Sequence, residues 1–85
     1  MMTPAELRAA LSQLLAMEEA ENIDWDKVQD RSIGILNELR AERGMDYPSE
    51  LIIPYLTDFG LRRQSAEEAY KQRGLMVAYL RAQQD

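Results

Sequence analysis

The side chains able to do chemistry in this chain are few in kind. Its 85 residues include no cysteine and no histidine. The chain therefore offers no thiolate nucleophile, no imidazole base and no Cys- or His-based metal site. Carboxylates, Lys, Tyr, Ser and Thr remain, and none of these normally changes charge near neutral pH. We therefore expect no catalytic residue, no cofactor and no bound metal.

The densest polar feature is the acidic stretch between residues 18 and 30. Part of it has the spacing of the oxygen ligands in a calcium-binding loop, through Asn22, Asp24, Asp26 and Asp30. That loop also needs a central glycine and a final bidentate glutamate, but the chain has Lys27 and Ile33 there. We interpret the stretch as a solvated corner between helices. Three of its acids, Glu19, Glu21 and Asp24, are our candidates for an acidic contact with a basic partner.

Paired carboxylates act as acid and base in glycosidases, which keeps an enzyme as a remote alternative. The candidate acids are Glu18, Asp24, Glu67 and Glu68. Such work needs a cleft and a shifted pKa, and a short helical chain has little room for a cleft of its own. We therefore predict that the protein is not an enzyme, unless its carboxylates act in a cleft between copies.

The net charge of −5 is unevenly distributed. Residues 1–46 hold ten acids and five bases, whereas residues 47–85 hold five of each. Such a chain is repelled by phosphate backbones and anionic lipids. No apolar run approaches the roughly 20 residues of a transmembrane helix, and the N-terminus does not resemble a signal peptide. We therefore expect a cytoplasmic protein with no membrane partner, and the charge disfavours nucleic acid as a partner.

Capping signals and apolar spacing predict three long helices. Thr3, Pro4 and Glu6 form a helix start, and this first helix ends near residues 18–21. A second helix is predicted from about Asp24 to Arg43, and a third from the Ser65 cap to about Ala82.

Residues 49–59 are ambiguous because six consecutive apolar residues suit a strand as well as a helix. A single strand cannot form a sheet, and Pro54 would remove a ladder hydrogen bond. We therefore predict a short helix that is kinked or interrupted at Pro54 and ended by Gly60. The predicted fold is all-α: one domain over residues 1–85, a small compact bundle of three long helices and one short, Pro-interrupted helix.

Two glycines fall inside predicted long helices, Gly34 and Gly74. Each costs about 1 kcal/mol relative to alanine in a helix. Because a glycine allows a close approach, we predict that at least one of them marks a tight helix crossing.

The surplus of apolar residues near the two central prolines suggests a contact surface. It consists of Tyr47, Ile52, Ile53 and Tyr55, more than one short helix buries on one face. Tyrosine is also enriched at protein interfaces. We therefore predict a non-enzymatic interaction module, an accessory, regulatory or adaptor subunit that binds a protein partner or a second copy of itself.

A helix-turn-helix DNA-binding regulator is the main alternative. The spacing from Tyr55 to Ala69 roughly fits that motif with Gly60 in the turn, and Arg62, Arg63 and Gln64 would then face the DNA groove. The acidic composition and the two acids that follow, Glu67 and Glu68, oppose this alternative.

Overall fold

The computed structural model describes residues 2–42 and 44–82, and this part of the chain is all-α with no strand. It contains five helices: α1 Pro4–Glu18, α2 Trp25–Ala41, α3 Ser49–Thr57, α4 Phe59–Gln64 and α5 Ala66–Ala82. The predicted all-α fold and its three long helices are confirmed. Arg43, the predicted end of the second helix, lies outside the described residues.

The long helices begin where their caps predict. The Thr3 hydroxyl accepts a hydrogen bond from the Glu6 backbone N–H (3.2 Å), and the Glu6 carboxylate accepts one from the Thr3 N–H (3.0 Å). Asp24 and Ser65 cap α2 and α5 in a related way, each accepting from the backbone N–H three residues ahead. Side-chain caps of this kind stabilise a helix by about 1 kcal/mol each.

The short middle segment differs from its prediction in two ways. Helix α3 continues through Pro54 without a break, and the Thr57 hydroxyl donates to the carbonyls of Ile53 and Pro54. Gly60 does not end the helical region, because α3 stops at Thr57 and a new helix, α4, includes Gly60. Arg62 of α4 is buried and paired with Glu18 of α1, and we interpret this contact as the reason that the chain stays helical past Gly60.

One apolar core joins the helices. Helix α1 packs on α2 and α5, while α3 and α4 each contact both α2 and α5. The most completely buried apolar side chains come from four of the helices: Leu7, Leu11, Leu14, Val28, Ile35, Leu39, Ile52, Leu56 and Met76. Within the described ranges, no helix combines the length and hydropathy needed to cross a bilayer.

The two helix-interior glycines do not mark a crossing, so that prediction is wrong. A Cβ atom added at Gly34 or Gly74 would meet nothing within 4 Å beyond its own helix backbone. Both glycines lie in helical backbone without a positive φ. Each glycine therefore destabilises its helix relative to alanine, and no closer packing compensates for this loss.

Replacing Gly74 with alanine is expected to raise the free energy of unfolding by up to about 1 kcal/mol, because the exposed position has room for a methyl group. Urea denaturation followed by circular dichroism measures the change. The reverse substitution at the exposed Ala78 of the same helix, Ala78→Gly, should lower stability by a similar amount. A Gly74→Ala variant less stable than wild type would contradict the open surroundings of this glycine.

Candidate functional site

A fully buried ion pair joins the end of α1 to α4. Arg62 Nε donates to Glu18 Oε1 at 2.8 Å, and Arg62 Nη2 donates to Glu18 Oε2 at 3.0 Å. Both side chains have no solvent exposure. The paired geometry matches the fork of a guanidinium to the two oxygens of a carboxylate. A carboxylate at the negative end of the α1 dipole, and away from water, requires such a partner.

Helices α3 and α5 complete the buried cluster, as we call it, by adding the buried Tyr55 and the half-buried Gln72 and Arg73 to Glu18 and Arg62. The Tyr55 hydroxyl donates to Glu18 Oε2 at 3.0 Å, and the Arg62 guanidinium lies 3.9 Å from the centre of the Tyr55 ring. Arg62 Nη1 donates to the Tyr55 carbonyl and to Gln72 Oε1. Arg73 Nη1 is 3.6 Å from Glu18 Oε1. Four of the five helices therefore meet through polar contacts.

The cluster is a structural site by its chemistry. Both oxygens of Glu18 are occupied by internal donors, and three guanidinium nitrogens of Arg62 have internal acceptors. Burial and the nearby Glu18 carboxylate raise the pKa of the Tyr55 phenol, while Arg62 acts in the opposite direction. The tyrosine therefore stays protonated and serves as a donor at neutral pH.

The cluster forms one wall of a surface groove between α3 and α5. Tyr55 and Gln72 line it from the inside, and the groove has a volume of about 200 Å³. Its apolar lining consists of Leu51, Pro54 and Leu75, and Leu75 is 52% exposed. Its charged lining residues, which we call the rim, are Glu50, Asp58, Glu68 and Lys71. The α3–α5 groove, as we call it, is the candidate functional site.

The predicted apolar contact surface needs a correction. Ile52 and Tyr55 are buried in the core, at 0% and 2% exposure. Tyr47 and Ile53 are half-buried and pack against that core. The α3 segment turns its largest apolar residues inward, because one face of this short helix closes the core between α2 and α5. At the groove, α3 instead presents the half-buried Leu51 and the exposed Pro54.

The arginines of the helix-turn-helix alternative also need a correction. Arg62 is buried and paired with Glu18, so it has no surface with which to contact DNA. Arg63 and Gln64 are exposed, but they end α4 and do not begin a recognition helix. Gly60 lies within α4 and not in a turn. The residues that suggested DNA binding are thus divided between the core and a helix end.

The predicted acidic contact residues are at the surface. Glu19, Glu21 and Asp24 are exposed around the α1–α2 connection, and Asp24 also caps α2. Over residues 2–42 and 44–82, no group of three or more acidic side chains is arranged to hold a metal ion.

Sequence reasoning placed Glu18 among solvated acids and missed its role. A signal was present, because Glu18 continues the spacing of Leu7, Leu11 and Leu14 along one face of α1. A charged residue on an apolar stripe requires a buried partner. That partner lies 44 residues further along the chain and could not be identified from spacing.

The substitution Glu18→Gln is expected to lower the free energy of unfolding by about 3 kcal/mol, since it leaves the Arg62 charge buried without its counter-charge. Denaturant titration measures the loss. The matched control is Glu19→Gln, at the exposed neighbouring position, which should change stability by less than about 0.5 kcal/mol. Equal effects of the two variants would contradict the buried pair.

Stability is expected to fall above about pH 10, the ordinary pKa of a tyrosine. The raised pKa of Tyr55 in the folded state means that the unfolded chain loses this proton first as pH rises. The contribution of Tyr55 to the free energy of unfolding is complete below about pH 10. Above that pH it declines by about 1.4 kcal/mol per pH unit. Tyr55→Phe should weaken this decline, whereas Tyr70→Phe, at a residue 81% exposed, should preserve it. Identical alkaline profiles for wild type and Tyr55→Phe would contradict the assignment.

Comparisons with known proteins give the site no counterpart. No family model, no curated protein and no solved structure matches this chain.

Proposed function

We propose that this protein is a non-enzymatic, cytoplasmic interaction module, an accessory or adaptor subunit that binds another protein through the α3–α5 groove. The observation that carries this proposal is the exposure of Leu75 beside Leu51 and Pro54. An exposed apolar side chain in a concave surface gives an apolar side chain of a partner a place to be buried.

The other large exposed apolar residues provide a comparison. Ile33, Leu61 and Tyr70 are 41%, 46% and 81% exposed, but none of them lines the α3–α5 groove. Single exposed apolar residues are ordinary on a protein surface. Leu75 differs because a concave surface with apolar neighbours gives a partner side chain contacts on several sides.

The size of the groove favours a protein partner over a small molecule. Its volume of about 200 Å³ is below the roughly 300–1,000 Å³ usual for small-molecule pockets. One or two anchoring side chains of a partner need less room than a metabolite or cofactor. An interface of this type gains most of its affinity from a few such anchors.

Leu75→Glu is expected to abolish partner capture, because it places a charge in the apolar strip. Leu61→Glu is the matched control, since this leucine has similar exposure and lies outside the groove. Tagged wild type and both variants are used for quantitative affinity capture from cells of the native host. Proteins retained by wild type and Leu61→Glu but lost with Leu75→Glu would support the proposal.

Circular dichroism must show that both variants remain folded, and light scattering shows whether the retained partner is a second copy of the chain. Capture that is equally strong with Leu75→Glu, or no capture above background with wild type, would contradict the proposed function.

A further inference from the structure

We infer that the α3–α5 groove selects a partner segment in which apolar side chains are flanked by lysine or arginine. This inference rests on the proposed function and adds the chemistry of the partner. Its basis is the charge that surrounds the apolar lining, together with the contacts that hold those charges in position.

The groove has a negative rim. Three carboxylates line the groove, those of Glu50, Asp58 and Glu68, against a single ammonium group, that of Lys71. Concave surfaces with apolar walls focus an electric field, so the excess of carboxylates acts more strongly there than on an open face. The net charge of −5 of the whole chain has the same sign. Basic side chains beside an apolar anchor therefore complement the groove.

Two of these carboxylates are held in place from the inside. Gln72 Nε2 donates to Glu68 Oε1 at 3.1 Å and to Asp58 Oδ2 at 3.4 Å. The oxygen of the same amide accepts a hydrogen bond from Arg62 Nη1 at 2.9 Å. This contact orients the amide so that its nitrogen faces the rim. The buried cluster thus orients the charges of the groove before a partner arrives. Pre-oriented groups lose less conformational entropy on binding.

The same charges oppose the main alternative occupants. In a two-fold dimer through this groove, the acidic rim of one copy would face the acidic rim of the other. Like charges brought together at an interface are costly. Nucleic acid and anionic lipid are repelled for the same reason. A segment of another protein with both apolar and basic side chains complements the groove, because the apolar side chains contact the lining and the basic ones pair with the rim carboxylates.

Selection from a library of displayed random 16-residue peptides tests this inference directly. The bait is the full chain, with Leu75→Glu as the counter-selection bait. We expect the retained peptides to combine large apolar residues with an excess of Lys and Arg. Retained peptides that are neutral or acidic, or the absence of any Leu75-dependent peptide, would overturn the inference.

Charge variants give the quantitative form of the test, with the strongest selected peptide as probe. Glu50→Lys should weaken binding about tenfold and Lys71→Glu should strengthen it several-fold, both effects shrinking at high salt. The matched control is Glu67→Lys, because Glu67 also lies in the first turn of a helix but outside the groove. Unchanged affinity in both groove variants, or an equal loss in the control, would overturn the inference.

The two proposals fail separately. If Leu75→Glu abolishes capture of a partner from cells while the charge variants leave that capture unchanged, the groove binds a protein but does not select basic segments. If capture does not depend on Leu75 at all, the proposed function itself fails.

Discussion

The buried pair of Glu18 and Arg62 is the contact on which the arrangement of this small domain depends. It joins the last residue of α1 to the short helix α4, and Tyr55 and Gln72 extend it to α3 and α5. The apolar core packs these helices together, and the buried pair adds a stricter condition on their positions. A buried charge has few acceptable positions, because any other arrangement leaves it without a partner. We interpret the pair as the contact that specifies the position of α4.

The same cluster connects the core of the protein to its surface. Tyr55 and Gln72 belong both to the buried cluster and to the lining of the α3–α5 groove. Through Gln72, the guanidinium of Arg62 is linked to the rim carboxylates Asp58 and Glu68. The chemistry inside the domain is structural, and under the proposed function its consequence is a surface of fixed shape and charge. If the proposed function holds, this link is how a chain without Cys or His presents a defined interaction surface.

Local signals in the sequence were sufficient for the long helices but not for the site. Caps such as Thr3 and Ser65 act within three residues, so the starts of the helices could be predicted. The extra helix α4 could not, because Gly60 normally favours a stop and the contact that overrides it comes from a distant residue. The sequence also suggests that Arg62 is a surface base, because its buried partner Glu18 is 44 residues away in the chain. Long-range pairing of buried charges has no local spacing rule, and the groove depends on that pairing.

The most direct test of this account is the NMR signal of the Arg62 Nε–H, with the adjacent Arg63 as internal reference. The structure predicts slow solvent exchange for Arg62, whose side chain is buried, and fast exchange for the exposed Arg63. It also predicts that Glu18→Gln abolishes the difference or shifts the Arg62 signal markedly. Fast exchange at both arginines in the wild-type protein would contradict the buried pair and, with it, the fixed groove.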